Sequence, residues 1–307
     1  MKHAKYDRTP RVVLGGLAAV ILCAVVIFAL RGSGAKAKDV EIPGTRGTIA
    51  ATVQLPARSA RGDELPLVVL CHGFTGNRQG DGHFAPLADD LAAQGIATVR
   101  LDFAGCGDST EPYTAYTLAN MAADVDSVIA YMQATYGTGK TALVGHSMGG
   151  RLASLYPQLG RYPVTALALW SPANGTGLHG LEFLNSNDFA AVEELAARAD
   201  AEGSVAAWGV TLSAAYIDGM RDSDPNAVLR ASGLPVLLTY SGNERILSDT
   251  TQSETQAAVE SLPGGQIVLD SFVDGDHNYT SEDPDTNARL DADLRQITVT
   301  FLTSHLQ

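Results

Sequence analysis

Among its 307 residues the chain has little cysteine and a deficit of positive charge. Three cysteines are too few for a disulfide framework, so stability must come from a buried apolar core. Cys71 and Cys106 read as small buried thiols, and Cys23 follows Leu22, which is too bulky for the residue that precedes a lipoprotein cysteine. Lysine and arginine number 21 against 34 acidic residues, giving a formal net charge of -13. No basic stripe of the kind that neutralises phosphate is present, which excludes nucleic acid as a partner. Internal repeats and low-complexity tracts are also missing. What is there, 45% hydrophobic and 18% charged residues, is the balance of a globular chain with a substantial core.

One long hydrophobic run does occur. Residues 12–30, VVLGGLAAVILCAVVIFAL, carry no charge and are long enough to cross most of a bilayer as a helix. A basic segment, 1–11, precedes them with Lys2, Lys5, Arg8 and Arg11, and Gly32, Ser33 and Gly34 open a linker over 31–38. The expectation is a single membrane anchor or a secretory signal, either of which puts the remainder outside the cytoplasm. The run exceeds the roughly 7–15 residues of an ordinary signal core, which favours the anchor. Ala35 and Ala37, spaced like a cleavage site, favour the signal.

From residue 39 onward, short apolar runs alternate with amphipathic stretches, the pattern of a mainly parallel sheet covered by helices on both faces. Strands are predicted at 48–54, 65–70, 96–101, 141–145, 164–170, 235–240 and 266–270; most are continuously apolar, as doubly covered parallel strands are. Helical spacing predicts helices over 84–94, 118–135, 147–159, 250–262 and 285–305. The interval 171–233 has no convincing strand and contains the helical stretch FAAVEELAARADAE. It is too long for a sheet crossover and reads as an inserted, mostly helical cap within a single domain spanning 39–307.

Strand TALVG runs directly into HSMGG and then a helix, which gives Gly145-x-Ser147-x-Gly149. A serine on such a strand-to-helix turn projects its hydroxyl from the end of the sheet, and the glycines relieve backbone crowding. Ser147 is therefore the candidate nucleophile. It needs a base late in the chain, and of seven histidines His277, in the polar loop DGDHNYT before the last helix, fits in position and order. Amide donors for a developing oxyanion are expected from Met148, next after the serine, and from Phe74, in the loop LCHGFTGNR after an early strand. In this reading His72 orients the loop and is not a second base.

Together HGFTGNR (72–78), GIATVRLDFAGCGDS (95–109), GHSMGG (145–150), PVLLTYSGNERIL (235–247) and DHNY (276–279) resemble the α/β-hydrolase fold, most closely its cinnamoyl and feruloyl esterase branch. The resemblance spans about 45–305. It implies ester cleavage through an acyl-serine with no metal or organic cofactor, and a cap that shapes the acyl pocket. Related sequences commonly carry a histidine where Cys106 stands, a departure expected at the pocket rim. The resemblance also supplies the acid. Laid without a gap on the family's P-V-L-L-I-H-G-x-x-D-x-x-V segment, this chain puts Ser241 on the glycine and Glu244 on the aspartate; a one-residue slide would put Arg245 there, which cannot orient a histidine. Asp249, Asp274, Asp276 and Asp102 are the competing acids.

The sequence thus points to an extracytoplasmic serine esterase acting on a small-molecule ester, with Ser147, His277 and Glu244 as its triad. A peptidase or an acylglycerol lipase on the same fold, and a surface binding protein without chemistry, remain as alternatives.

Overall fold

Strands that are apolar on both faces need cover on both sides, and the chain supplies it with two sets of helices. The computed structural model describes residues 37–57 and 64–307. The expected basic segment, anchor or signal and most of the linker lie outside the described residues. Among the described residues no helix is long and apolar enough to cross a membrane.

Eight strands form one sheet: β1 (Lys38–Pro43), β2 (Thr48–Gln54), β3 (Leu65–Cys71), β4 (Ala97–Leu101), β5 (Thr138–His146), β6 (Ala166–Trp170), β9 (Val236–Thr239) and β10 (Gly265–Val268). Their order is β1-β2-β4-β3-β5-β6-β9-β10; β1 with β2 and β2 with β4 pair antiparallel, and all other pairs are parallel. The two-residue period of a strand divides its side chains between two cores. Leu67, Val69, Leu143, Leu167, Leu169 and Leu238 face one core, and Val68, Leu70, Ala142, Val144, Ala168 and Leu237 face the other. On the first side lie α2 (Leu118–Tyr136) and α3 (Met148–Leu159); on the second lie α1 (Phe84–Ala93) and α8 (Pro284–Leu306).

Two differences from the sequence reading matter for the site. The edge strand β1 starts at Lys38, inside the expected linker, and its exposed charges Lys38, Asp39 and Glu41 hide it from a search for apolar runs. The interval between β6 and β9 is not free of strands. It holds α4 (Phe189–Glu202), a hairpin of β7 (Ser204–Ala207) and β8 (Val210–Ser213), then α5 (Ala214–Arg221) and α6 (Pro225–Ser232). The hairpin turns on Trp208 and Gly209, both at positive φ (48° and 75°), as a two-residue turn of this twist requires. Helix α6 packs on α3 and on α7 (Asp249–Glu260), so it belongs to the main layer and the covering part of the interval is shorter than 171–233.

Arg151, one turn after the candidate nucleophile, is completely buried. Its guanidinium donates to the carbonyls of Ala173 (2.9 Å) and Gly175 (2.6 Å) and to the Ser223 hydroxyl (2.8 Å), tying α3 to both ends of the inserted segment. Burial lowers its pKa to about 10, with Tyr216 and Asp224 opposing the shift. Replacing it with an apolar residue strands those buried acceptors without a donor. Arg151→Met is expected to cost about 3 kcal/mol in urea unfolding; a change under about 0.5 kcal/mol would contradict this role.

Candidate active site

Ser147 sits between the end of β5 and the start of α3 at φ 53° and ψ -114°, a conformation that side chains rarely adopt. The turn closes only because its neighbours lack side chains. A Cβ on Gly145 would collide with the backbone of Gly149 and Gly150, and one on Gly149 with the carbonyls of Cys71 and His72. A Cβ on Gly73 would lie 3.1 Å from that of Ser147, so the loop after β3 lies directly against the serine. That loop carries Phe74. Met148 is the first residue of α3, where the helix geometry leaves its amide without an intrahelical acceptor.

The loop after β9 brings Glu244, and the loop before α8 brings His277. Glu244 Oε2 lies 2.7 Å from His277 Nδ1, and Oε1 accepts from the amides of Ile246 (2.9 Å) and Leu247 (3.1 Å). The Glu244 side chain is 2% exposed. Burial pushes its carboxyl pKa up, but the hydrogen bond and charge of His277 and the two amides outweigh this and hold it below the usual value. His277 and Ser147 open onto one cleft of about 960 Å³, which Gly73, Phe74, His146, Phe183 and Trp208 also line. The structure therefore brings together all five residues named from the sequence: Ser147 and His277 at the cleft, Glu244 behind His277, and Phe74 and Met148 beside the serine. Among the described residues Ser147 and His277 share no hydrogen bond, a contact often long in the absence of substrate.

A family model described as the α/β hydrolase fold matches residues 66–202. The chain has the α/β-hydrolase fold. Est1E from Butyrivibrio proteoclasticus with ferulic acid bound shares 20% identity and superimposes with a TM-score of 0.67 over 86% of this chain and 99% of that one. The esterase domain of a Rhodothermus marinus protein shares 18% identity with a TM-score of 0.63, over 89% and 100% of the two chains. A 2-(acetamidomethylene)succinate hydrolase from Mesorhizobium japonicum is 35% identical over 100 residues, covering 31% of this chain and 33% of that protein. The chain spans less than half the length of the curated relatives it matches.

Within this α/β-hydrolase frame the other acids have separate work. Asp249 is the first residue of α7, and Asp274 pairs with Arg289 on α8. Asp276 caps its own loop by accepting from the amides of Asn278 (3.0 Å) and Thr280 (2.9 Å). Asp102 accepts from the amides of Arg78 and Asp108 and pairs with the Arg78 guanidinium, bracing the loop that carries Phe74. Cys106 is buried in the core and does not reach the cleft, so the departure there lies behind the wall and not on the rim. It and Cys71 are free thiols, each pushed up to about 12 by burial.

His72 donates from Nδ1 to the Gly73 carbonyl (2.7 Å) and accepts at Nε2 from the Phe103 amide (3.1 Å), which fixes the neutral tautomer; burial lowers its pKa to about 4. Sequence reasoning missed two other histidines. His146 donates from Nε2 to the carbonyl of His277 (3.1 Å), and His83 reaches the carbonyl of Asn278 (2.9 Å). The only hint of His146 in the sequence is its place beside Ser147. The cleft's outer wall is aromatic: Phe74 packs edge-on to Phe183 (5.3 Å between centroids), and Phe183 edge-on to Trp208 (5.4 Å). The acids Glu193, Glu194, Asp200 and Glu202 of the inserted segment do not line it. Among the described residues no group of three or more His, Cys, Asp or Glu side chains could hold a metal ion.

Because the folded Glu244 carboxyl titrates below its unfolded value, its contribution to stability is present at neutral pH and is lost as pH falls through the depressed folded value. A protonated glutamate resembles glutamine in shape and charge. The stability difference between the protein and Glu244→Gln should therefore be measurable at about pH 6 and close toward about pH 3 in denaturant unfolding. A difference independent of pH would contradict an ionised Glu244 in the fold.

Proposed function

We propose that the protein is a serine hydrolase that cleaves carboxylic esters through an acyl-serine. The observation that carries this reading is the Glu244–His277 pair, 2.7 Å apart and buried, opening onto the cleft that the strained Ser147 turn faces. In the reaction, His277 Nε2 takes the proton from Ser147 Oγ as the oxygen attacks the ester carbonyl. Glu244 holds Nδ1 protonated and stabilises the imidazolium that forms. The Phe74 and Met148 amides donate hydrogen bonds to the carbonyl oxygen as negative charge develops on it. Collapse of the tetrahedral intermediate hands the proton on to the leaving alcohol. Water then enters by the same route and releases the acid, with His277 acting first as base and then as acid.

Two lines support an ester with an aryl or short acyl group. The cleft wall of Phe74, Phe183 and Trp208 offers flat apolar surface, and the fold neighbour with ferulic acid bound is an example of such a ligand on this scaffold. We place the domain outside the cytoplasm, tethered to the membrane or released from it, on the strength of the charge-free run at 12–30 and its basic flank.

A fluorophosphonate probe is expected to label the protein and to lose its target in Ser147→Ala; a folded protein that takes no label is the outcome for a binding protein without chemistry. Glu244→Gln should lower kcat by about a thousandfold or more, while Asp249→Asn stays within about twofold. The reverse ranking, read from steady-state ester hydrolysis, would mean that the acid is misassigned.

A further inference from the structure

Two histidines outside the proposed triad hold the loop that carries His277. His146 Nε2 lies 3.1 Å from the carbonyl oxygen of His277, and His83 Nε2 lies 2.9 Å from that of Asn278. The grip is on two consecutive carbonyls, starting at the proposed base itself. The two histidines differ in what stands behind them. Behind His146, among the described residues, the Asp81 carboxylate lies 3.8 Å from Nδ1, beyond a hydrogen bond. His83 is backed by a carboxylate in contact: its Nδ1 lies 2.7 Å from Asp291 Oδ1.

A backbone carbonyl and a carboxylate can only accept, so His83 makes both contacts by donating from both ring nitrogens. Asp291 is suited to that task. Arg295, one turn further along α8, donates from Nε to Asp291 Oδ2 (2.9 Å), and its guanidinium also pairs with Asp90 on α1. Burial raises the Asp291 carboxyl, but the hydrogen bonds of His83 and Arg295 outweigh it and hold the group below its usual value. The result is a continuous polar chain from Asp90 through Arg295, Asp291 and His83 to the carbonyl next to the proposed base. It runs between the two helices that cover this face of the sheet.

We propose that His83 and Asp291 form a second histidine–carboxylate pair whose role is positioning. Glu244 fixes the rotation of the His277 ring through Nδ1, and the His83–Asp291 pair fixes the backbone from which that ring projects. Neither restraint alone determines where Nε2 lies relative to Ser147. The proposal rests on the serine-hydrolase reading above. A misplacement of about 1 Å at a reacting group can cost about a hundredfold in rate, so even a modest loosening of this loop should be visible in kcat.

The test uses the full chain with p-nitrophenyl butyrate as substrate, and rates are expressed per site titrated by the fluorophosphonate. His83→Leu should lower kcat about tenfold or more with KM within about twofold. His83→Gln, which keeps an amide donor for the Asn278 carbonyl, should recover most of that loss, and Asp291→Asn should fall between. A folded His83→Leu whose kcat per titrated site stays within about twofold of the parent overturns the proposal. So does a loss that His83→Gln fails to recover, since the donor would then be irrelevant. If His83→Leu does not fold, Asp291→Asn decides: a lower kcat at unchanged KM supports the pair, and an unchanged kcat overturns it. A parent protein that neither takes the label nor hydrolyses the ester would instead overturn the serine-hydrolase reading.

Discussion

The close approach of α3 to the ends of β3 and β5 is the constraint on which the rest of the site depends. Gly149 lies beneath the carbonyls of Cys71 and His72, and Gly145 lies against Gly149, so the helix can begin only one residue after the strand ends. That leaves Ser147 as the hinge at positive φ, a conformation costing about 1–3 kcal/mol that the surrounding packing must sustain. The same approach brings Gly73 against the serine and with it the Phe74 amide, while Met148 opens the helix with a free amide. One turn later Arg151 ties the inserted segment to this helix. The proposed nucleophile, the proposed oxyanion donors and the inserted segment are thus set by one helix in one position.

The proposed base and acid come from loops far away in sequence, and polar contacts locate them. Glu244 is held by the amides of its own loop, so its second oxygen is free to orient His277. Four histidines gather here in different states of use. His72 is a buried neutral link beneath the oxyanion loop, and His146 is a neutral donor whose pKa is pushed down to about 3 by burial and by the neighbouring His277. His83 donates from both nitrogens, and His277 lines the cleft with its Nδ1 held by Glu244. Their environments, more than their identity, separate the roles.

Much of this was legible in the sequence, for physical reasons that can be named. Strands buried on both faces read as unbroken apolar runs, so β3, β4, β5, β6 and β9 stood out, and the glycine spacing around Ser147 reports a backbone collision that any side chain would cause. Glu244 emerged from register: of the two alignments only one put an acid in place, and the loop does present it to His277. The edge strand β1 was hidden because one face is wet and charged. The β7–β8 hairpin was hidden because its strands are four residues long and its turn carries Trp208 in place of a common turn residue. The grip of His83 and His146 on the His277 loop joins residues 195 and 131 positions apart, and no local pattern records such a contact.

The central claim is that Ser147 becomes covalently acylated during turnover. Rapid mixing with excess p-nitrophenyl butyrate, followed by acid quench and peptide mass spectrometry, tests it most directly. The account predicts an initial burst of about one nitrophenolate per protein and a butyryl adduct on the peptide that contains Ser147. Turnover with no adduct, or an adduct on any other residue, would contradict it.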